Sequence, residues 1–352
     1  MNKTMKACNL HAVGDLRYED VPVPALLPDE VMIRIQAAGI CGSDIQRVFD
    51  KGTYHFPTIP GHEFAGVICE VNPGDEALLG KTAAVFPLIP CGKCAACQIG
   101  EYAQCADYDY YGSRRDGAFA EYIAVKKWNL VFVPDGISAE HAAMAEPCSV
   151  AIHALSQAGV NLGDTVIIFG AGTIGLLLAQ AARGWGAGKV VLSDPDTAKL
   201  DFARNLGFQY CVDPKISNPA EYVKSVNEGR GADVAIEAAG VAAAAEGCLF
   251  AARTFGRVVL MGNPVKNMDI SQKAYWEILR KQLVLKGTWN SSYNDVQNDW
   301  KLAVQCMEKK VFDLSKLITH RFELADCSRA FELARKRNEF WVKIMFVNKE
   351  GK

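Results

Sequence analysis

The sequence predicts an α/β protein in which a mostly β domain precedes a doubly wound, mostly parallel sheet. The chain has 352 residues, which is long enough for two separate cores. Up to about residue 150, short runs that alternate apolar and polar residues, such as residues 31–35, are broken by prolines and glycines and indicate strands joined by turns. After residue 155, apolar strands alternate with helical segments, which is typical of a parallel sheet flanked by helices.

The composition excludes several classes of function. Hydrophobic residues make up 50% of the chain and charged residues 22%, which is ordinary for a globular protein. Lys plus Arg number 38 and Asp plus Glu 40, so there is no field for nucleic acid or an anionic membrane. The N-terminus lacks a signal pattern, and glycines interrupt the longest apolar run, residues 165–182. We therefore expect a cytoplasmic protein that binds a small molecule.

A mixed set of metal-binding side chains lies in the turn-rich first domain. Cys41 opens a Cys-Gly-Ser-Asp motif, and His62 and Glu63 follow twenty residues later. A thiolate, an imidazole and a carboxylate suit Zn²⁺, and a catalytic zinc keeps one position for water or substrate. Glu146, which precedes a proline, could supply a further ligand. Taken singly, each of these residues is more often an ordinary core or surface residue.

Four of the twelve cysteines lie within fifteen residues. They are Cys91, Cys94, Cys97 and Cys105. Four thiolates in one loop can close a tetrahedral zinc site without an open position, which makes such a site structural. An iron–sulfur cluster is the alternative, but the fourth cysteine is not followed by proline and the run is not repeated. A disulfide scaffold is disfavoured because the chain is long and has no secretion signal.

A glycine-rich turn follows the strand predicted at residues 165–169. Its sequence is Gly170-Ala171-Gly172-Thr173-Ile174-Gly175, and a helix at 176–185 and a strand at 189–193 follow. This order of strand, glycines, helix and strand indicates a dinucleotide-binding Rossmann unit. The first glycine makes the turn, the second lets the backbone approach a pyrophosphate, and the third lets the helix pack on the strand. Asp194 ends the second strand and should accept from the ribose hydroxyls, so NAD is favoured over NADP.

The alternation continues to residue 287. Helices are predicted near 197–206, 219–228, 241–252 and 271–281, and strands near 208–212, 232–237, 256–261 and 283–287. Ligands of such sheets bind at the carboxyl ends of the strands, so Met261, Gly262 and Asn263 are candidates to line the nicotinamide. Helices near 295–309 and 325–337 and a strand at 341–347 should return to the first domain. We thus expect a catalytic domain at 1–155, a Rossmann domain at 156–290 and a return segment at 291–352.

Taken together, these motifs resemble those of the zinc-dependent medium-chain alcohol dehydrogenases over essentially the whole chain. The resemblance rests on Cys-Gly-Ser-Asp, Gly-His-Glu-Phe-Ala-Gly, the four cysteines, Asp-Gly-Ala-Phe-Ala-Glu-Tyr, Glu-Pro and the glycine-rich turn, in that order. It implies a GroES-like catalytic domain, a Rossmann domain, two zinc ions per chain, NAD, and a homodimer or homotetramer. Residues 108–117 and 278–281 are most similar to those of bacterial polyol dehydrogenases, including one that acts on a sugar-alcohol phosphate.

The resemblance also implies a mechanism. Zinc held by Cys41, His62 and either Glu63 or Glu146 would bind the alcohol oxygen while hydride passes to NAD⁺. Ser43 matches the hydroxyl that passes the proton outward. Many relatives carry a histidine soon after that hydroxyl, whereas this chain has Gln46, so the rest of the proton route stays open. His62 and Glu63 are neighbours and would point to opposite faces of a strand, so both reach zinc only if the backbone turns there.

Two adjacent arginines, Arg114 and Arg115, follow the cysteine-rich loop. They could form an ordinary solvated loop, with Arg115 paired to Asp116 or Glu121. The resemblance to a sugar-alcohol-phosphate dehydrogenase instead implies that they bind the phosphate, since guanidinium groups match phosphate oxygens. The alternatives are a dehydrogenase of unphosphorylated polyols or of threonine, and a non-catalytic protein that binds NAD and zinc.

Overall fold

The computed structural model describes residues 4–336 and 338–348, and they form two compact units. The first unit is the chain up to Glu146 together with Ser292–Lys309 and the residues from Leu314 onward. The second unit is Pro147–Ser291 with Lys310–Asp313. A mostly β unit and a parallel α/β unit confirm the predicted fold class. None of the helices in the described ranges has the length and apolar character needed to cross a membrane.

The first unit is built on an antiparallel sheet centred on one strand. The strands of the first unit up to residue 132 are β1 (Thr4–Ala12), β2 (Asp15–Pro22), β3 (Glu30–Gly39), β4 (Glu63–Val71), β5 (Thr82–Val85), β6 (Leu88–Ile89), β7 (Asp109–Tyr110), β8 (Tyr122–Lys126) and β9 (Leu130–Phe132). Of these, β1 pairs with β2 and β6 with β7 in two separate sheets. The strand β3 pairs with both β4 and β8, and β5 and β9 extend the sheet beyond β4. Its side chains Val31, Ile33 and Ile35 are buried in the core of this unit.

Three helices accompany these strands, and a fourth begins at the end of the first unit and continues into the second. They are α1 (Gly42–Gln46), α2 (Ala95–Gln98), α3 (Ala139–Ala143) and α4 (Ala145–Ala158). A turn of π-helix, Arg47–Lys51, continues α1. The sequence did not predict α4, because residues up to 150 were assigned to strands and turns. Glu146 lies in its first turn, where the helix dipole favours a carboxylate.

The second unit is a parallel sheet with helices between its strands. The strands are β10 (Thr165–Phe169), β11 (Lys189–Ser193), β12 (Tyr210–Val212), β13 (Ala232–Glu237), β14 (Ala252–Leu260) and β15 (Val284–Gly287). The helices are α5 (Thr173–Gly184), α6 (Thr197–Asn205), α7 (Pro219–Val226), α8 (Ala242–Ala251) and α9 (Gln272–Lys281). The sheet order β12-β11-β10-β13-β14-β15 is that of a doubly wound dinucleotide-binding fold.

The glycine-rich turn takes the predicted conformation. Gly170 has φ +114°, a region that side chains disfavour, and the helix α5 begins three residues later at Thr173. A Cβ on Gly175 would overlap the carbonyl oxygen of Gly170. The third glycine is therefore required for α5 to approach the Gly170 turn, whereas the sequence had predicted that it allows close packing on the strand.

The C-terminal part of the chain adds strands to the sheet of the first unit. Its elements are α10 (Asp299–Glu308), α11 (Leu314–Leu317), β16 (Ile318–Phe322), α12 (Cys327–Lys336) and β17 (Lys343–Val347). The strand β17 runs antiparallel to β3, and β16 pairs parallel to β17. The sequence missed β16, a short strand with polar residues in its middle. The helix predicted to reach residue 337 is seen to residue 336, and residue 337 lies outside the described residues.

Candidate active site

The ends of two paired strands bring the first motif and its histidine together. Cys41 follows β3 and caps the start of α1, while β4 begins at Glu63, whose register partner on β3 is Gly39. His62 precedes β4 and so escapes the strand's alternation. Gly61 has φ +99° and leaves no room for a Cβ beside the Phe119 ring, so the chain turns sharply there. This turn lets neighbouring residues point to the same place.

Three donor groups meet at this point. The candidate ligand atoms of Cys41, His62 and Glu63 all lie within 4.8 Å of one another. Glu146 is also buried, and it is near enough to His62 and Glu63 to feel their charges. Burial, together with the Glu63 carboxylate, raises the pKa of Glu146 to about 7, although His62 and Lys343 oppose the shift. The structure thus brings the four predicted residues into one neighbourhood, with Cys41, His62 and Glu63 closest together.

Asp44 contacts both Cys41 and His62. Its carboxylate is fully buried, and Oδ2 accepts a hydrogen bond of 3.0 Å from the backbone N–H of Cys41. Its Oδ1 lies 3.3 Å from Nδ1 of His62, in a contact that is not a well-formed hydrogen bond. Burial opposes charge on both side chains, but their mutual attraction raises the pKa of His62 and lowers the pKa of Asp44. Asp44 therefore positions both the cysteine backbone and the imidazole.

Glu63 has a buried cationic partner that the sequence did not reveal. The Nζ of Lys343, in β17, lies 2.5 Å from Oε2 of Glu63 and donates to the carbonyl of Ile40 at 3.2 Å. Both side chains are at most 3% exposed. Although burial favours the neutral amine, the charge of Glu63 raises the pKa of Lys343. The sequence shows a lysine at the start of an apolar C-terminal strand, but nothing in it marks Glu63 as the partner.

Ser43 is bound by a second unforeseen cation. Nη1 of Arg47 donates to Oγ of Ser43 at 2.9 Å and to Oδ1 of Asp44 at 2.8 Å. Arg47 follows Ser43 by four residues and Asp44 by three, a spacing at which helical side chains meet. That spacing was readable in the sequence. The ring of Tyr110 lies 5.7 Å from that of His62 and completes the surroundings of the imidazole.

The four clustered cysteines come together in a separate lobe. Sγ of Cys94 lies 3.5 Å from that of Cys97 and 3.9 Å from that of Cys105, and Cys91 lies 3.9 Å from Cys97. A tetrahedral site with Zn–S bonds of 2.3 Å requires sulfur–sulfur distances of ~3.8 Å. Backbone N–H groups of Ala106 and Cys97 lower the pKa of Cys94 to about 6, which favours the thiolate. The geometry fits one tetrahedral ion, as the sequence predicted.

In the second unit, Asp194 ties the glycine-rich turn to the end of β11. Its Oδ2 accepts from the N–H of Ala171 at 2.8 Å, and Oδ1 accepts from that of Asp196 at 2.9 Å. Nζ of Lys199 lies 3.4 Å from the same carboxylate. Gly172 caps α5 without a side-chain hydrogen bond, which leaves room beside the helix N-terminus. Asp194 thus has a structural role in addition to the one predicted for it.

A second carboxylate, Glu237, organises the predicted nicotinamide-side loops and was missed from the sequence. Its Oε1 accepts from the N–H groups of Ala239 and Gly240 at 2.8 and 2.6 Å. Its Oε2 accepts from Gly262 at 3.1 Å, next to Met261 and Asn263. A buried acid at the end of a strand, followed by small residues, was the signal. Glu237 therefore joins the loops that follow β13 and β14.

The two adjacent arginines are partly engaged by their own loop. The guanidinium of Arg114 lies between the rings of Tyr54 and Tyr108, 4.4 and 4.3 Å from their centroids. Its Nη1 donates to the carbonyl of Tyr108 at 2.9 Å, whereas its buried Nε has no hydrogen-bond partner. Arg115 pairs with Asp109 at 3.4 Å, and not with either acid that the sequence had suggested.

Comparison with known proteins defines the class. Residues 27–135 match the family model described as the alcohol dehydrogenase GroES-like domain, and residues 173–309 match the one described as zinc-binding dehydrogenase. The chain therefore belongs to the zinc-containing medium-chain dehydrogenases. Within them it is of the type that acts on polyols and alcohols.

Individual relatives of this chain include two polyol dehydrogenases. The chain is 35% identical to galactitol 1-phosphate 5-dehydrogenase of Escherichia coli K12, over 88% of this chain and 90% of that protein. It is 32% identical to sorbitol dehydrogenase of Bacillus subtilis 168, over 97% of each chain. The crystal structure of galactitol-1-phosphate dehydrogenase from Escherichia coli superposes with a TM-score of 0.92 at 33% identity, over 98% of this chain and 100% of that one. The resemblance found in the sequence is thus confirmed.

The buried ion pair of Lys343 and Glu63 generates a prediction about stability. Lys343→Met should destabilise the protein by about 3–5 kcal/mol, because it leaves a carboxylate buried without its partner. Lys6→Met, which breaks an exposed pair with Asp20, is the matched control and should leave the urea midpoint nearly unchanged. Equal midpoint shifts in the two variants would show that the buried pair has no special role.

Proposed function

We propose that this protein oxidises a secondary hydroxyl of a sugar-alcohol phosphate, such as galactitol 1-phosphate, to the keto-sugar phosphate. The hydride would pass to NAD⁺ and the hydroxyl proton to solvent. The observation that carries the proposal is the convergence of Cys41, His62 and Glu63 on one point, beside a serine hydroxyl, in a member of a dehydrogenase family. We also propose that the protein is cytoplasmic and forms a homodimer or homotetramer.

The donor groups fit a catalytic zinc. A thiolate, an imidazole and a carboxylate within 4.8 Å of one another are a set that Zn²⁺ prefers. Cys41, His62 and Glu63 would hold the ion, and Glu146 is the candidate to add to or replace Glu63. When bound, zinc would polarise the substrate hydroxyl and lower its pKa. A second zinc would be held by the four cysteines of the lobe, with no position open to substrate.

The chain's own residues have distinct tasks in this proposal. Ser43 would relay the proton: its oxygen accepts the proton of the substrate hydroxyl as it releases its own proton outward, and Arg47 fixes that oxygen through its hydrogen bond of 2.9 Å. Lys343 holds Glu63 at 2.5 Å and so restrains how far that carboxylate can move toward the metal. Asp44 keeps the imidazole of His62 in place. Many relatives have a histidine shortly after this hydroxyl, whereas this chain has Gln46 nearby, so the proton would leave the serine by water or by the cofactor ribose.

The second unit supplies the cofactor-binding features. The N-terminus of α5, from Thr173 and Ile174, would face the pyrophosphate because Gly172 puts no side chain there. Asp194 would accept from the ribose hydroxyls with lone pairs left after its two backbone bonds. Its buried charge supports NAD over NADP, and the nearby ammonium of Lys199 moderates that preference.

Arg114 and Arg115 are the residues that the family resemblance implies for binding the substrate's phosphate. The cation of Arg114 supports this assignment, although its unpartnered Nε is buried. Unphosphorylated polyols and threonine are the competing substrates. A protein that only binds NAD and zinc is disfavoured, because the ligand set and the serine are intact.

Metal content tests the two zinc sites. Fully loaded protein should contain two zinc ions per chain by elemental analysis. Cys94→Ser should lose the ion of the lobe and lower the unfolding midpoint, since structural zinc contributes to folding. Cys41→Ser should lose the other ion and its turnover while the fold is kept. Cys69→Ser, elsewhere in the same unit, should retain both, and one ion in the wild type would contradict the assignment.

The relative affinity for NAD and NADP tests the ribose-binding role that we propose for Asp194. Asp194→Ala should weaken NAD binding by about 1.5–3 kcal/mol, the value of a hydrogen bond to a charged group, and reduce the advantage over NADP. Titration of protein fluorescence with each cofactor would measure both changes. Asp201→Ala removes an exposed acid from α6 and should leave both affinities as they are. A wild-type preference for NADP would refute this interpretation of the strand end.

Initial rates of NADH formation test the substrate class. We expect kcat/KM for galactitol 1-phosphate to exceed those for galactitol, sorbitol and L-threonine by at least about tenfold, since one charge-assisted contact is worth that much. Equal values for the phosphorylated and free polyol would reject the phosphate and leave a sorbitol-dehydrogenase-like enzyme. No turnover on the whole panel would favour the non-catalytic alternative.

A further inference from the structure

We propose that Arg47 is a specificity-determining residue that binds the anionic group of the substrate. This inference rests on the proposed function, under which that group is a phosphate monoester. The family resemblance indicates Arg114 and Arg115 as the phosphate-binding residues, and it does not indicate Arg47. The structure places its guanidinium directly against Ser43, which in the proposed mechanism relays the proton of the reacting hydroxyl outward.

One end of the Arg47 guanidinium is fixed. Its Nη1 lies 2.9 Å from Oγ of Ser43 and 2.8 Å from Oδ1 of the buried Asp44. The neighbouring charges of Asp44 and Cys41 raise its pKa although burial opposes the shift, so the group stays cationic. A cation held by two fixed acceptors beside the reaction centre is preorganised and loses little entropy when a ligand arrives.

The backbone that carries Arg47 is fixed as well. The carbonyl of Arg47 accepts the N–H of Gly52 at 3.0 Å and so closes a single turn of π-helix, a feature that often occurs at functional sites. Val48 is buried in the core of the first unit, and the ring of Phe49 packs edge-on against that of Phe331. The turn is thus anchored by its apolar residues, while Arg47, Asp50 and Lys51 are its polar residues.

The other end of the guanidinium remains available. A guanidinium has five N–H donors, and in the described part of the chain the hydrogen bonds of this one come from Nη1. The side chain is 21% exposed, so part of it faces solvent. The planar pair of donors that remains matches two oxygens of a phosphate. A carboxylate has a similar pair of oxygens, so L-threonine is included in the test.

Arg114 is less well prepared for this role. It is stacked between two tyrosine rings, and it already donates to the carbonyl of Tyr108 and toward the hydroxyl of Tyr54. Each of its Nη groups already donates once and its Nε is buried, so the paired edge of Nε and Nη2 is not open to a ligand. Arg47 therefore has the better free edge and is the one in contact with a residue of the reaction centre.

The simpler interpretation is that Arg47 only neutralises Asp44. Loss of such a counter-ion would disturb His62 and the metal site, and it would slow charged and neutral substrates by the same factor. Loss of a substrate contact would slow the phosphorylated substrate more. The ratio of kcat/KM for galactitol 1-phosphate to that for galactitol separates the two.

The experiment compares this ratio in the zinc-loaded wild type, Arg47→Gln, Arg47→Lys, Arg114→Gln and Lys51→Gln. Lys51→Gln removes an exposed cation from the same turn and is the matched control. We expect Arg47→Gln to reduce the ratio about 10- to 100-fold, mainly through KM of the ester. Arg47→Lys should keep part of the preference because the charge remains, and Lys51→Gln should keep all of it. L-Threonine is assayed with every variant.

Each outcome decides one proposal. A ratio unchanged in both Arg47 variants, or reduced only in Arg114→Gln, would overturn the role of Arg47 while the proposed function stands. A wild type that does not prefer the ester would instead refute the proposed substrate. If Arg47→Gln loses its zinc or its fold, the contact is tested with Arg47→Lys alone. Two measurements are then used: the kcat/KM ratio of Arg47→Lys, and the shift in the melting temperature of Arg47→Lys when the phosphate ester is added without NAD⁺. A ratio and a shift equal to those of the wild type would then reject the contact.

Discussion

Charge balance in a buried space is the constraint on which the active-site half of this molecule depends. Asp44, Glu63 and Glu146 are almost fully buried around Cys41, and two permanent cations, Lys343 and Arg47, are bound to the first two carboxylates. Buried charges are tolerated only when they are paired. With three carboxylates and a thiolate ionised and the His62 imidazole neutral, as a metal ligand must be, two negative charges remain, and a divalent cation would neutralise them. The raised pKa of Glu146 is how the site relieves the same excess by protonation.

Buried carboxylates also fix the backbone of three loops at the proposed binding sites. Asp44 binds the N–H of Cys41, Asp194 binds that of Ala171, and Glu237 binds those of Ala239 and Gly240. In each case a buried carboxylate accepts from backbone N–H groups that regular structure leaves unsatisfied. The loops therefore take one conformation before any ligand binds, which lowers the entropy lost on binding. The loops at the proposed cofactor and metal sites are thus stabilised in the same way.

Local pattern made part of this structure predictable. The strands β10, β11 and β13 coincide with their predictions because each is an apolar run bounded by glycine or charge, and the cysteine lobe was predictable because its donors are close in sequence. Lys343 was not, since it meets Glu63 across a sequence separation of 280 residues and nothing local marks the pair. The short strand β16 was missed because it is defined by pairing with β17. Contacts created by the fold itself are what sequence patterns do not contain.

Arg47 shows how substrate choice and chemistry become linked in such a site. The guanidinium that we assign to the substrate's anion also donates to Ser43 and to Asp44, and through Asp44 it borders His62. A substrate anion that draws the guanidinium toward itself would alter the hydrogen bond on the serine oxygen. Proton transfer would then depend on whether the anion is present, not only on whether the hydroxyl is in place. Binding energy from the remote end of a substrate can in this way be used at the reacting carbon. A neutral polyol could occupy the metal site and still leave the serine less well ordered.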